Sequence, residues 1–539
     1  MTFDHIVVGA GSAGCILAER LSRDERTQVL LIEAGPEDDS FWLKLPAGYA
    51  KAYFNPRLNW MYRSTPQPAL NQRSVYAPRG KVLGGSGAIN AMIYVRGQAS
   101  DYEDWRARGN PGWGWDEVRP VFERLESAPD GDPAWRGQQG PIGISSMRGR
   151  THPIVDHYLQ ACDELGLPQT PDYNGARFEG AAIYDINVRR GLRSAPNVTH
   201  LGPARARRNL TVWTRTQVLG LLWGEGRRVV GVRLRREGQA QPQTVQARRE
   251  VVLSAGAVGS PQLLMLSGLG DGAQLQALGV PVVQHLPAVG EHLQDHLCAS
   301  YYFEATCPTL NNTLGSLWGQ AWAALQWAVQ RRGPLALSVN QAGGFFRGRP
   351  DAAQPNLQLY FNPLSYSIPD DPRAGLKPDP YPGFLMAFNA CRPTSRGSIR
   401  LASADPAAAP RIDPNYLATA HDVQEVIQGS RLIRALAQAP SLAHITASER
   451  QPGLQHQSDE QLLAYFRAHS GSIYHLCGSC AMGPDSAQSV VDARLRVHGV
   501  QGLRVIDASV FPSIPSGNTH APTLMVADKG ADFMLQPDS

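Results

Sequence analysis

Gly9-Ala10-Gly11-Ser12-Ala13-Gly14, with Glu33 further along the chain, has the residue types and spacing that hold a dinucleotide. Gly9 permits a tight turn, Gly11 lets the backbone approach a pyrophosphate, and Gly14 allows a helix to pack closely on a strand. The carboxylate of Glu33 stands where it can accept from ribose hydroxyls. These residues work only if regular elements hold them, and the flanking sequence predicts those elements. The apolar run His5-Ile6-Val7-Val8 reads as a strand, Cys15 to Leu21 as a helix whose free N–H groups face the phosphates, and Gln28 to Ile32 as a second strand ending on Glu33. An ordinary glycine turn would need none of this context. The unit does not distinguish NAD from FAD.

The chain has 539 residues, more than one ordinary core, and 42% hydrophobic against 18% charged residues at a mean hydropathy of -0.28. That composition is globular, and no apolar run is long enough to span a bilayer. The first strand begins by residue 5, which leaves no room for a secretory signal before it, so the expected compartment is cytoplasmic. Seven cysteines scattered over the chain fit a reducing compartment. The net charge of +4 is carried mostly by arginine, and Arg205, Arg207 and Arg208 form too short a cluster for nucleic acid. Nothing in the sequence sets an oligomeric state.

No repeat, linker or heptad pattern divides the chain, so its domains are expected to interleave. Thr211 to Arg215, Val218 to Trp223, Val229 to Arg235 and Glu250 to Ser254 read as strands. Ser260-Pro261 reads as the cap and first turn of a helix reaching about Ser267. Leu503 to Ile506 is another strand, with Asp507 at its carboxyl edge, so one sheet is expected to draw on both ends of the chain. Residues from about 298 to 490 read as a separate, mostly antiparallel α+β layer. The segment Leu314 to Val329 carries Trp318, Trp322 and Trp327; we read this stripe as core packing in preference to a membrane-surface helix, because its polar face is not strongly basic.

Three further segments carry a family resemblance. Gly80-Lys81-Val82-Leu83-Gly84-Gly85-Ser86-Gly87-Ala88-Ile89-Asn90, Gly256-Ala257-Val258-Gly259-Ser260-Pro261 with Leu266-Ser267-Gly268-Leu269-Gly270, and Asp507-Ala508-Ser509 resemble the glucose-methanol-choline (GMC) oxidoreductases over almost the whole chain. The resemblance implies FAD as the cofactor and an α/β fold: a Rossmann-like FAD-binding domain interleaved with an α+β substrate domain on a mostly antiparallel sheet. It places residues 1–297 and 491–539 mainly in the FAD domain, with substrate-domain insertions near 45–75 and 98–193, and residues 298–490 mainly in the substrate domain. It also implies that Gly9, Gly11, Ser12, Ala13 and Gly14 touch the pyrophosphate, and that Glu33 and Ala34 hold the ribose. Val82, Asn90, Ala91 and Met92 would then line the pyrophosphate and isoalloxazine, Val218 the adenine, and Asp507 and Ala508 the ribityl chain. Some relatives link FAD through a histidine where this chain has Ile89, so the flavin is expected to be non-covalent.

For the chemistry, the resemblance implies a base at His475, in Tyr474-His475-Leu476-Cys477-Gly478-Ser479-Cys480, and a partner at His520, in Gly517-Asn518-Thr519-His520-Ala521-Pro522. Oxidising an alcohol removes a hydroxyl proton and a hydride, and the flavin takes only the hydride, at N5. An imidazole titrating near neutrality suits the proton. His520 would hold the substrate oxygen, and a helix from about Thr523 to Leu535 would point its positive end at the cofactor. His296, in Leu293-Gln294-Asp295-His296, is read as structural with the other histidines. Leu476, Cys477, Ser479 and Ala481 depart from the family wording, and Cys477 and Cys480 now form a Cys-x-x-Cys, which without partner ligands is not read as a metal site. The expected reaction is a primary alcohol giving an aldehyde, with O2 as final acceptor and hydrogen peroxide as product. The alternatives are a quinone- or dye-linked alcohol or choline dehydrogenase, and a flavin-bearing lyase or photodecarboxylase, which Cys391 faintly suggests.

Overall fold

The computed structural model describes residues 1–367 and 375–536. In chain order the sheet-forming strands are β1 (Thr2–Val8), β2 (Val29–Ile32), β3 (Gly180–Ile183), β4 (Leu210–Trp213), β5 (Thr216–Trp223), β6 (Val229–Arg236), β7 (Gln243–Leu253), β8 (Leu297–Ala305), β9 (Ala342–Phe346), β10 (Leu357–Asn362), β11 (Gly383–Ala390), β12 (Thr446–Gln451), β13 (Gly471–Ser472) and β14 (Leu503–Val505). They form the two seven-stranded sheets, and the remaining short strands pair off in two-stranded sheets. The first runs β4-β2-β1-β7-β6-β5, with β14 also on β7; the second runs β12-β8-β11-β10-β9-β3, with β13 also on β8.

In the first sheet β4, β2, β1, β7 and β14 are parallel, while β5 and β6 return antiparallel along the far edge. The parallel strands are apolar on both faces, as buried parallel strands must be: Ile6, Val7, Leu30, Leu31, Val251, Val252 and Val505 are all fully buried. The sheet does draw on both ends of the chain, since Val251, Val252 and Leu253 pair with Leu503, Arg504 and Val505. Every pairing in the second sheet is antiparallel. The fold is therefore the α/β plus antiparallel α+β arrangement expected from the sequence.

Six helices shape the cavity between the sheets and its outer wall: α1 (Ser12–Leu21), α2 (Phe41–Lys44), α3 (Gly85–Ile89), α4 (Gly256–Leu266), α5 (Leu317–Gln330) and α6 (His520–Leu535). Helix α6 packs on α1, and Arg20 of α1 pairs with both Asp528 and Asp532 of α6. Helix α4 begins five residues earlier than the sequence suggests, at Gly256 and not at Pro261. Gly256 at φ +78° turns the chain into it, and Ser260 and Pro261 lie inside it. Pro261 has no N–H, which leaves the carbonyl one turn back, on Ala257, without its helical donor; the Ser479 hydroxyl donates to it instead.

Helix α5 corrects another expectation. Only Ala323 and Trp327 of its apolar residues are buried, and Trp318 and Trp322 face outward. The tryptophans do not form one stripe against the core, because the side of the helix that meets the protein is narrower than their spacing suggests. Trp327 alone is anchored, its indole N–H donating to the Gly191 carbonyl at 2.9 Å.

Candidate active site

At the carboxyl end of β1 the fingerprint closes sterically as well as by sequence. A Cβ on Gly9, at φ +100°, would lie 2.4 Å from the Ser254 carbonyl oxygen, and one on Gly14 would lie 1.9 Å from the Gly9 oxygen. Glu33 holds this loop from β2: its carboxylate accepts from Ala10 N–H at 3.0 Å and Gly35 N–H at 2.9 Å. Burial pushes that carboxyl up to about 7, and each oxygen can take a second donor. A glycine-only approach brings the second loop close, since a Cβ on Gly85 would stand 2.7 Å from the Gly11 Cα.

A continuous cavity of about 1080 Å³ begins at this loop and extends between the two sheets. Gly9, Gly11, Ser12, Ala13, Glu33 and Ala34 line one end, with Val218 at the same wall. Asn90, Ala91, Met92, Asp507 and Ala508 line its middle, and His475, Asn518 and His520 open onto it. Gly14 and Val82 do not line it: Gly14 is packed under the loop, and Val82 is buried among Leu43, Leu58, Ala88 and Ile89. Asp507 ties the start of α4 to the segment after β14, accepting from Ser260 Oγ at 2.6 Å, Gly256 N–H at 2.8 Å and Ser509 N–H at 2.8 Å.

His475 sits on a short segment zipped to Leu293-Gln294-Asp295-His296. The Gln294 and Cys477 backbones exchange both hydrogen bonds at 3.0 Å, and Ile473 N–H donates to the His296 carbonyl at 3.1 Å. The buried Asp295 carboxylate accepts from His475 N–H at 2.8 Å, Ser472 Oγ at 2.5 Å and Tyr416 Oη at 2.6 Å, which fixes the loop, including Tyr474 at φ +73°.

The protonation of His475 follows from its neighbours. His296 Nε2 lies 2.8 Å from the Cys391 carbonyl oxygen, which can only accept, so Nε2 carries the hydrogen. His296 is neutral, because burial drives its pKa down to about 4, and its Nδ1 is therefore a bare acceptor. That atom lies 2.9 Å from His475 Nδ1, so His475 carries its hydrogen on Nδ1. Its Nε2 is then left as a lone pair, facing the Asn518 amide nitrogen at 3.2 Å. The Asn518 carbonyl is itself taken by the Gln358 amide at 3.1 Å, which turns the Asn518 N–H toward the ring. Burial, together with the neighbouring His296 and Arg79, holds His475 well below the ordinary histidine range.

These contacts redistribute the residues singled out from sequence. His475 and His520 are not hydrogen-bonded to each other. His520 is the first residue of α6, and its Nδ1 is 3.3 Å from Ser12 Oγ while its Nε2 has no partner among the described residues. Asn518, two residues earlier in the same hexapeptide, meets His475. His296, structural by its sequence, is the other partner of His475, 179 residues away. Arg193 is a further residue that sequence reasoning misses: this buried guanidinium donates to Asn90 Oδ1 at 2.5 Å and to the Asn90 carbonyl at 2.9 Å, and it has no carboxylate partner among the described residues. Nothing local in sequence marks His296, whereas Asn518 is within reach of sequence reasoning because an amide can hold an oxygen as an imidazole does. Cys391 contributes its carbonyl, and its thiol is buried and pushed up. Cys477 and Cys480 are free, buried thiols, and among the described residues no cluster of His, Cys, Asp and Glu could hold a metal ion.

The donor set at the glycine end, with His520 of the cavity lining keeping a buried Nε2 that has no partner among the described residues, fits a flavin dinucleotide. The comparisons with known proteins agree. The GMC oxidoreductase family model matches residues 3–298 in its N-terminal part and 393–527 in its C-terminal part. Mitochondrial choline dehydrogenase of Mus musculus is 40% identical over 99% of this chain and 89% of its own length. An alcohol dehydrogenase [acceptor] of Pseudomonas putida is 38% identical over 99% and 96%. Among solved structures, pyridoxine 4-oxidase from Mesorbium loti is similar with a TM-score of 0.88 and 31% identity, over 98% of both chains. With its glycine loops, paired sheets and histidine-lined cavity in place, this chain belongs to the GMC oxidoreductases, FAD-dependent enzymes acting on CH–OH donors.

Proposed function

We propose that the protein oxidises a neutral primary alcohol to its aldehyde, with His475 Nε2 as the base. The observation that carries this reading is the chain of hydrogen bonds from the Cys391 carbonyl through His296 to His475, which leaves a lone pair on the one ring nitrogen beside the cavity. The alcohol hydroxyl displaces the Asn518 contact, donates its proton to His475 Nε2 and accepts from the Asn518 N–H, so that negative charge developing on oxygen meets a donor already aimed. Asn518 thus takes the part expected of His520. His520, joined to Ser12 at the first turn of α6, serves the cofactor end.

In this reading Gly9, Gly11, Ser12 and Ala13 hold the pyrophosphate, with Gly14 and Val82 shaping the loops from behind. Glu33 and Ala34 hold the ribose, Val218 the adenine, and Asn90, Ala91, Met92, Asp507 and Ala508 the flavin end. FAD, when bound, supplies the acceptor for the hydride. Ile89, at the cavity wall, cannot form the covalent link of some relatives, so the cofactor is held by contacts alone. Tyr49, Tyr302, Tyr360, Tyr474 and Leu385 line the substrate end, the tyrosines kept neutral by burial, which suits an uncharged apolar alcohol. For reoxidation by O2, Arg193 supplies a fixed positive charge behind Asn90.

The test is anaerobic mixing of the yellow holoenzyme with primary alcohols. Wild type bleaches, and His475→Ala retains FAD and fold but bleaches at least about a hundredfold more slowly, as for loss of a general base. Normal bleaching by His475→Ala would overturn the assignment, and persistent yellow in wild type would favour the lyase or photodecarboxylase. Parallel assays of peroxide and dye reduction decide the acceptor.

A further inference from the structure

Helix α5 presents an apolar face to solvent that the alcohol chemistry does not use. Trp318, Trp322, Leu325 and Val329 follow the i, i+4, i+7, i+11 spacing of one helical face and are 88%, 58%, 52% and 72% exposed. Leu317 extends this face at 84%, and α2 adds Phe41 at 50% and Trp42 at 44%, with Phe41 edge-on to Trp327 at 5.4 Å. A monomer in water gains nothing from two tryptophans more than half exposed on one stripe.

The charges at the carboxyl end of α5 are mostly positive, the nearest acids to the face being Asp130 beside Arg150 and the exposed Asp39 just before α2. From residue 305 to residue 350 there is no Asp or Glu at all. At the end of α5 stand the exposed Arg331 and Arg332, with Arg150 close to Arg332 and the exposed Arg190 on the hairpin whose Gly191 packs against Arg331. Lys44 is exposed on α2. Tryptophan and leucine beside a basic collar match the headgroup and acyl boundary of an anionic bilayer. A second copy is the poorer occupant. A helix of 14 residues is about 21 Å long and ~10 Å wide, so its face covers roughly 200 Å², well short of the ~800 Å² per partner of a stable interface.

The position of the face also has a use. Trp327 clusters with Leu45 and Ala336, and the Pro46–Gly48 turn packs on the Pro334–Ala336 turn. The chain running on from these two turns reaches the cavity wall at Tyr49 and at Val339 and Asn340. The apolar face is therefore the outer surface of the cavity roof. No helix among the described residues is long and apolar enough to cross a membrane, so any attachment through this face is peripheral.

We propose that α5 and α2 form a docking surface for an anionic lipid bilayer, seating the cavity roof on the membrane face. The inference rests on this surface alone and stands or falls separately from the alcohol reaction. It is tested by flotation of the FAD-loaded protein with phosphatidylglycerol-containing vesicles and with pure phosphatidylcholine vesicles. Wild type floats with the anionic vesicles, less so at high salt, and the double variant Trp318→Ser/Leu325→Ser lowers the floated fraction at least tenfold. Arg331→Glu/Arg332→Glu lowers it as well, whereas Leu454→Ser, at an exposed leucine elsewhere, leaves it unchanged. FAD content and melting temperature stay at wild-type values throughout. Absence of flotation, flotation undiminished in the double variant, or a wild-type dimer that the double variant makes monomeric would each overturn the proposal.

Discussion

Replacing His296 tests the hydrogen-bond argument directly. His296→Ala removes the only acceptor that the described residues offer to the buried His475 Nδ1–H, at 2.9 Å, and an unsatisfied buried donor costs about 1 to 3 kcal/mol. The ring escapes that cost by carrying its hydrogen on Nε2, which removes the lone pair from the cavity. If the whole cost falls on the reactive form, flavin reduction slows by about five- to 150-fold. The neighbouring imidazole also helps to hold His475 below its ordinary range, so its loss moves the acid limb of the rate profile to higher pH. Glutamine can do both jobs of His296, accepting from His475 through its carbonyl and donating to Cys391 through its amide. Anaerobic stopped-flow reduction across pH should therefore rank wild type above His296→Gln and His296→Gln above His296→Ala. Wild-type reduction by His296→Ala with an unmoved acid limb, or a glutamine variant as slow as alanine, would refute the tautomer argument.

Three further outcomes are expected. Acid precipitation should release the flavin into the supernatant, because Ile89 offers no atom for a covalent link; colour retained in the washed pellet refutes this. The neutral carbon isostere of choline, with a tert-butyl group in place of the trimethylammonium, should have the higher kcat/KM of the two. Apart from Glu33 and Asp507, which this reading gives to the cofactor, the cavity carries one carboxylate among the described residues, Asp379, which already accepts from Tyr381, so preference for choline would place a counter-charge that this reading lacks. Burial pushes His200 down to about 4, below its unfolded value of 6.5, so its contribution of about 3 kcal/mol is present above pH 6.5 and lost as pH falls toward 4. In denaturant titrations wild type should lose more stability over that window than His200→Asn, and parallel profiles would show that His200 does not titrate in this way.

The parts of the molecule that can be read from sequence are those in which neighbours along the chain are neighbours in space. The β1-loop-α1 unit is one, since its turn, helix and strand periodicity all lie within residues 2–33. The cavity chemistry depends on approach between distant segments. His296 is marked by nothing in its own surroundings, and its role exists only because residues 293–296 run beside 473–477. The start of α4 is misleading in sequence because Ser260-Pro261 has the local look of a helix start, while the turn is made by Gly256 and the hydroxyl of Ser260 is taken by Asp507. Helix α5 is legible as a helix, but composition does not tell its buried side from its exposed one, and which side of a helix meets the core is decided by what packs there.

The pairing of β14 with β7 sets an order of events during synthesis. The central strand of the first sheet is made in the first half of the chain, yet the carboxyl-terminal part of one of its edges, Val251 to Leu253, stays open until residues 503–505 emerge, and α1 waits as long for α6. The N-terminal unit therefore leaves the ribosome with apolar strand edge and helix surface uncovered while the second sheet is still being made, a state that invites chaperones and association with other chains. A truncation removing the last strand and helix would strip the nucleotide-binding sheet, not a dispensable tail. Binding of the dinucleotide and completion of the polypeptide are, for this topology, coupled in time.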